Sequence, residues 1–293
     1  PAQQYVQWVY NQLESRSRMD KRTTERRAGE LGITRQVEVK ELTELAVVLR
    51  ARTFARMDLP DSVEDKQRHR YDAIVDLYNH QVNLSFRTSQ SILLQQYSTP
   101  APLGYLMGLF CQIHRPGDYF EPSAGNGLLV INADPATVTV NEVDELRFRN
   151  LSSQGYAAVT DQDATKPFPP HYKHRFDAMI TNPPFGRLSA PIEVGPATIK
   201  DLDHWMAINA LECVKDDGRA AIIVGGHTEY DTYGAVRSGK NRSFINYLYH
   251  HYNVVDTINV DGDIYKRQGT GFDVRIILLN GRKAVPKGLS RTF

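Results

Sequence analysis

The feature that most constrains this chain is a change of pattern near residue 97. Before it, apolar residues recur at three- and four-residue spacing, as in Leu42, Leu45, Ala46 and Leu49 and again in Tyr71, Ile74, Val75 and Tyr78. That is the period of helices with one buried stripe. After it, short apolar runs alternate with helical stretches and Gly/Pro-rich turns: Tyr119-Phe120, Thr137 to Val140, Ala157 to Thr160, Ala178 to Thr181 and Ala220 to Val224 read as strands. Such alternation predicts a mostly parallel sheet with crossover helices. Val254 to Val260 and Val274 to Leu279 flank a turn-rich segment containing Gly269 and Gly271, which predicts an antiparallel, hairpin-like pair closing the sheet. The expected organisation is a helical N-terminal extension of three or four amphipathic helices over 1–96, followed by an α/β domain over 97–293.

Several function classes fall away at once. The apolar runs, such as Ala220 to Val224 and Ile276 to Leu279, are far shorter than the roughly 20 residues that cross a bilayer. Cys111 and Cys213 provide no disulfide framework, which fits a reducing, cytoplasmic setting. The start at Pro1, with neither signal peptide nor initiator Met, leads us to expect a chain processed or cut from something longer. Neither cysteine follows a proline, so the thiolate needed for cytosine carbon-5 methylation is not in evidence. His171 and His174 lack neighbouring metal-ligand partners, and no metal is expected. Pro60-Asp61, with Glu64 and Lys66, superficially suggests a nuclease, but Ser62 followed by Asp65 reads better as a helix cap. The net charge of +1 decides nothing; two stretches are locally basic, Arg16 to Arg27 and Arg237 to the C-terminus.

Four segments carry chemistry. Glu121-Pro122-Ser123-Ala124-Gly125-Asn126-Gly127 follows the first strand and is expected to open a short helix, interrupted by Asp134-Pro135. Its glycines let backbone approach a ligand closely. Glu142 follows the second strand, where a carboxylate can accept from both hydroxyls of a ribose; Asp144 is the competitor. Asp161 and Asp163 follow the third strand, where one of them can accept from an adenine amino group; Asp163 is favoured over Asp161, with a turn or helix cap as the alternative role. Asn182-Pro183-Pro184-Phe185 follows the fourth strand, at the carboxyl edge where ligands bind in such sheets. A conjugated exocyclic amine is a poor nucleophile and must have its lone pair aimed. The Asn182 oxygen and the Pro183 carbonyl can each accept one amine hydrogen while Phe185 stacks on the ring.

With these segments in this order, the chain from about Tyr97 onward resembles the adenine-N6 DNA methyltransferases, in which the cofactor motifs precede the catalytic one. The resemblance implies a class I methyltransferase fold with a mostly parallel seven-stranded sheet and S-adenosylmethionine as cofactor. Tyr97-Ser98-Thr99-Pro100 looks like the first cofactor motif and Glu121 to Gly127 like the glycine-rich one. Glu142 looks like the ribose-binding acid, Asp163 like the adenine-binding acid, and Asn182 to Phe185 like the catalytic loop. The resemblance also implies that Tyr265, with Phe272 as runner-up, stacks on a flipped adenine opposite Phe185. DNA is the expected partner, in a setting of DNA methylation and restriction-modification.

The chain departs from the family in lacking a sizeable recognition domain after the last strand. That leaves the N-terminal helices, the loop from Arg187 to Lys200 and the segment from His227 to Arg242, so specificity is low or lies in a recognition or helicase module of a longer polypeptide. Arg237, Lys240, Arg242, Lys266 and Arg267 are the expected phosphate contacts. The rival readings are methylation of RNA adenine or of a protein glutamine by the same fold, and a noncatalytic DNA-binding module. Phe185 in place of tyrosine and the Thr99-Pro100 pair favour DNA.

Overall fold

The computed structural model describes residues 1–82, 98–268 and 271–290, the side chains of 267 and 268 excepted. Four helices lead the described chain: α1 (Ala2–Glu14), α2 (Lys21–Glu30), α3 (Gln36–Ala55) and α4 (Lys66–His80). Asp20 and Asp65 cap α2 and α4 by accepting from the backbone N–H of Thr23 (2.7 Å) and Arg68 (2.9 Å). The Asp65 cap is the role expected for that acid. After Pro100 come α5 (Ala101–Phe110), β1 (Tyr119–Glu121), β2 (Val138–Asn141), α6 (Glu145–Ser152), β3 (Ala158–Thr160) and β4 (Phe176–Thr181). A second group follows: β5 (Arg187–Val194), β6 (Ala197–Asp201), α7 (Leu202–Leu211), β7 (Val214–Gly225), α8 (Lys240–His251), β8 (Tyr252–Val260) and β9 (Val274–Arg282).

Seven strands form one sheet in the order β3-β2-β1-β4-β7-β9-β8. The first five are parallel; β9 runs antiparallel to both β7 and β8, so the terminal pair closes the sheet as its sequence pattern predicts. Because side chains alternate across a strand, β7 divides its apolar run between two layers. Ala220, Ile222 and Val224 pack on the side of α7 and α8, while Ala221 and Ile223 pack with Met107 of α5 and Leu151 of α6. Both faces are covered, which is why β4 and β7 read as continuous apolar runs rather than as alternating ones. The strand order reverses between β1 and β4, and the crevice at their carboxyl ends is where such sheets bind ligands.

Three expectations are corrected. The turn at Gly125 to Gly127 opens only a single 3-10 turn, Leu128–Val130, rather than an α-helix. The segment 187–200, read as a loop, is the antiparallel pair β5-β6, joined at Gly195 (φ +58°) and held by the buried residues Ala197 and Ile199. The third concerns α3. It is not amphipathic with a solvated polar side, because Val39 to Val48 are buried throughout, Lys40, Glu41, Thr43 and Glu44 included.

The polar side of α3 faces the sheet domain. Glu41 forms an ion pair with Arg147 of α6 (2.8 Å), and both are about 95% covered, with 4% and 5% of their surface exposed. Burial alone would raise the Glu41 carboxyl, but the Arg147 guanidinium holds it below its ordinary range. Glu41 also accepts from the Asn126 amide (2.8 Å), and Asn150 donates to the Asn126 side-chain oxygen (2.8 Å) and the Glu41 carbonyl (3.3 Å). Glu41→Gln leaves the Arg147 charge buried without its counter-ion and is expected to lower unfolding free energy by about 3–5 kcal/mol. A urea titration that shows this loss as a shift of midpoint at unchanged slope checks it.

Candidate active site

A cavity opens at the carboxyl ends of β1 to β4, and most of the residues singled out by sequence line it. Thr99, Glu121 to Gly125, Glu142, Asp163, Asn182 to Phe185, Tyr265 and Phe272 are all in its wall. Sheet order places the anchoring residues in a row. Asp163 follows β3, Glu142 follows β2, Glu121 ends β1 and Asn182 follows β4.

Each competitor has a different task. Glu142 is 7% exposed; one oxygen accepts from Gly125 N–H (2.8 Å) and the other from Asp144 N–H (2.9 Å). Each oxygen keeps a second lone pair. Asp144 is occupied as the cap of α6, accepting from Leu146 and Arg147 N–H, and is absent from the cavity wall. Asp163 accepts from the Thr165 N–H (2.9 Å) and hydroxyl (2.7 Å) through one oxygen, which holds its carboxyl below the usual range and leaves the other oxygen outside these two bonds. Asp161 is exposed and does not line the cavity.

Glu121 is the electrostatic outlier. It is fully buried, and neither carboxylate oxygen has a hydrogen-bond partner among the described residues. Burial, with the Glu142 charge second, pushes its carboxyl well above the ordinary value of 4.5. Glu142 is raised as well, by burial opposed first by Arg147.

The loop after β4 is oriented from two sides. Asn182 donates its amide N–H to the Thr99 hydroxyl (2.9 Å), and in this orientation Oδ1 is left as the acceptor. The Ser123 and Thr181 hydroxyls, 2.9 Å apart, tie the glycine-rich turn to β4. Behind Phe185 lies Gly225, whose N–H donates to Asp203 (3.0 Å); a Cβ there would come within 3.4 Å of the Phe185 ring. Asp203, pushed up to about 6 chiefly by burial, belongs to a buried group with Asp201 and His204 whose potential ligand atoms lie within 4.8 Å of one another. Two cations already face that group. Lys240 lies 2.7 Å from Asp201, and the wholly buried Arg275 meets His204 Nε2 at 3.2 Å. The group therefore reads as a buttress for the loop.

Other predicted residues lie elsewhere. Gly127 (φ +92°) is not in the wall; a Cβ there would stand 2.2 Å from the Tyr156 hydroxyl, so its role is close packing. Pro100 caps α5 instead of lining the cavity. Tyr97 is outside the described residues, as is the side chain of Arg267. Tyr265 lines the cavity but is 1% exposed and packed in the core, whereas Phe272 is 58% exposed at the cavity. None of Arg237, Lys240, Arg242 and Lys266 lines it; Arg237 pairs with Glu229 (2.8 Å) and Lys266 with Asp263 (2.7 Å). Cys111 and Cys213 are buried away from it, and burial pushes the Cys213 thiol up to about 12 and Cys111 higher still. Sequence reasoning missed Glu44, Asn126, Arg147 and Met206 in the wall. Asn126 lay within a motif already quoted, but Glu44 had no local signal.

No protein-family profile and no curated protein matches the chain. Solved structures do. A Listeria monocytogenes protein assigned to the class I S-adenosylmethionine-dependent methyltransferases aligns over 98% of this chain and 91% of its own, at 13% identity and a TM-score of 0.52. The M protein of the type I restriction enzyme EcoKI aligns over 96% of this chain and 69% of its own (14% identity, TM-score 0.49). A Pyrococcus horikoshii protein assigned as an RNA methyltransferase aligns over 65% and 89% (20% identity, TM-score 0.44). The fold is thus the Rossmann-like fold of class I methyltransferases.

Glu121 yields a stability prediction whose sign follows from its raised carboxyl. A group that binds its proton more tightly in the folded state contributes stability below its unfolded value of 4.5, and that contribution is lost as pH rises through the folded value. Glu121→Gln removes the buried charge, so without ligand the variant is expected to melt above the parent at neutral pH, with the gap closing below about pH 4.5. Thermal melts of both proteins across this range check it.

Proposed function

We propose that this chain transfers a methyl group from S-adenosylmethionine to the N6 amine of adenine in DNA. The observation that carries the reading is the orientation of Asn182, whose amide nitrogen is spent on Thr99 and whose oxygen remains to accept at the cavity. Beside it, Pro183 contributes a carbonyl whose residue has no N–H for strand pairing.

The residues at hand fit the cofactor. Glu142 at the end of β2 suits a ribose diol, and Asp163 beyond β3 keeps an oxygen for an adenine amine. The partnerless Glu121 oxygens suit a ligand that brings positive charge into a dry site. When bound, the cofactor supplies an electrophilic methyl on a sulfonium. Everything else is done by the chain. Asn182 Oδ1 and the Pro183 carbonyl accept the two amine hydrogens, aim the nitrogen lone pair, and stabilise the positive charge that develops on nitrogen as the new bond forms. Phe185 supplies one face for the ring, and Phe272, exposed at the cavity, is better placed than the buried Tyr265 for the other. Adenine in a duplex must leave its stack to enter, at a cost of a few kcal/mol.

Asn182→Ala is expected to abolish transfer while leaving S-adenosylmethionine affinity within a few-fold; Glu142→Ala should weaken that affinity by about 1.5–3 kcal/mol, the worth of hydrogen bonds to a charged group. Calorimetric binding together with tritiated methyl transfer on DNA, RNA and protein checks both. Label entering RNA or glutamine in preference to DNA would replace the substrate while keeping the reaction.

The nucleic-acid path is tested separately. Replacing Arg237 and Arg242 together by Ala is expected to lower DNA affinity and flatten its dependence on salt, since each lost phosphate contact releases fewer counter-ions. Cofactor affinity should not change.

A further inference from the structure

One buried acid in the cavity wall has no part in the reading above. Glu44 comes from α3, is 3% exposed, and lines the same cavity as Glu121 and Asn182. One of its oxygens accepts from the Ser98 hydroxyl; Oε2 has no partner among the described residues. Burial, then the neighbouring Glu41 charge, pushes its carboxyl above the ordinary range. The junction between α3 and α6 does not call for a second acid, because Glu41 already faces Arg147. A carboxylate oxygen kept dry and unpaired beside a cavity points to a donor supplied by the ligand.

The place of Glu44 indicates which part of the ligand. Ser98 and Thr99 are consecutive, and while Ser98 bonds Glu44, Thr99 bonds Asn182. Glu44 therefore stands at the Asn182 end of the row and not at the Asp163 end. Neighbouring strands are about 4.8 Å apart, so a nucleoside with its base by Asp163 and its ribose on Glu142 sends its amino-acid tail across β1 toward Glu121 and the 98–99 segment. That tail carries an ammonium with three N–H donors.

We propose that Glu44 binds the ammonium of the methionine moiety of S-adenosylmethionine directly, so that the N-terminal helices complete the cofactor site. The inference rests on the cofactor reading above. Its test compares S-adenosylmethionine with 5′-methylthioadenosine, which keeps the nucleoside and the sulfur but lacks the amino-acid tail. By calorimetry, Glu44→Gln, which retains the volume of the side chain, is expected to weaken S-adenosylmethionine about 10-fold and 5′-methylthioadenosine by less than about two-fold. Equal loss for both ligands, or none for either, overturns the proposal. If Glu44→Gln does not fold, Ser98→Ala removes the anchor without altering α3. It should then give about a three-fold loss for S-adenosylmethionine and none for the tail-less ligand, an equal loss again being fatal. A parent protein that binds neither ligand defeats the cofactor reading itself, and this inference with it.

Discussion

The buried pair of Glu41 and Arg147 is the interaction on which the rest of the arrangement depends. Taking both charges out of water is expensive, and the cost is offset by their mutual attraction and by the hydrogen bonds that surround the pair. Arg147 reaches Glu41 through Nε (2.8 Å) and a terminal nitrogen (3.3 Å), Asn126 fills the next lone pair, and Asn150 closes the set. Three separate pieces of chain meet here: a helix from the N-terminal region, the glycine-rich turn, and the helix after β2. Arg52 adds a second tie from α3, to Gln154 (2.8 Å) and the Tyr156 hydroxyl (2.6 Å), and Tyr156 in turn packs against Gly127. The turn that borders the cavity is thus set as much by α3 as by the strand it follows.

Around that junction the cavity gathers more carboxyl oxygens than its own contacts satisfy. Glu121 and Glu44 hold three oxygens with no donor among the described residues, and Glu142 is raised by burial as well. Such a wall destabilises the fold and favours a cationic occupant, the usual exchange of stability for function at a binding site. In the proposed reaction Glu121 and Glu44 would hold a cofactor that carries positive charge more firmly than a product that has lost its sulfonium charge.

Sequence legibility followed the range of each interaction. Strands β4 and β7 were readable because burial on both faces imposes an apolar run that needs no knowledge of neighbours. The Asn182 loop, the glycine-rich turn and Glu142 were readable as cavity-lining segments because each follows directly on a strand end. The junction was not. Glu41, Glu44 and Lys40 interrupt an apolar pattern, and on sequence alone a charge on a helix reads as a solvated face. Only the arrival of Arg147, from far along the chain, makes burial of Glu41 tolerable. The pair β5-β6 was missed for a related reason: β5 is exposed at most positions, and the apolar cross-strand pairs Ile192 with Ile199 and Val194 with Ala197 are too few to establish a period.

The basic residues near the C-terminus divide by the same criterion of burial, and this bears on where nucleic acid could run. Arg237 with Glu229 and Lys266 with Asp263 are exposed pairs, which contribute little to stability. A phosphate can take the place of either carboxylate at little cost. Lys240 differs, because its partner Asp201 is only 6% exposed and stands beside Asp203 and His204. Drawing Lys240 away to a phosphate would leave two buried carboxylates facing Arg275 alone, in the group whose Asp203 holds Gly225 behind Phe185. In the proposed function a phosphate would therefore be met by Arg237 or Lys266, while Lys240 stays with the loop it helps to hold.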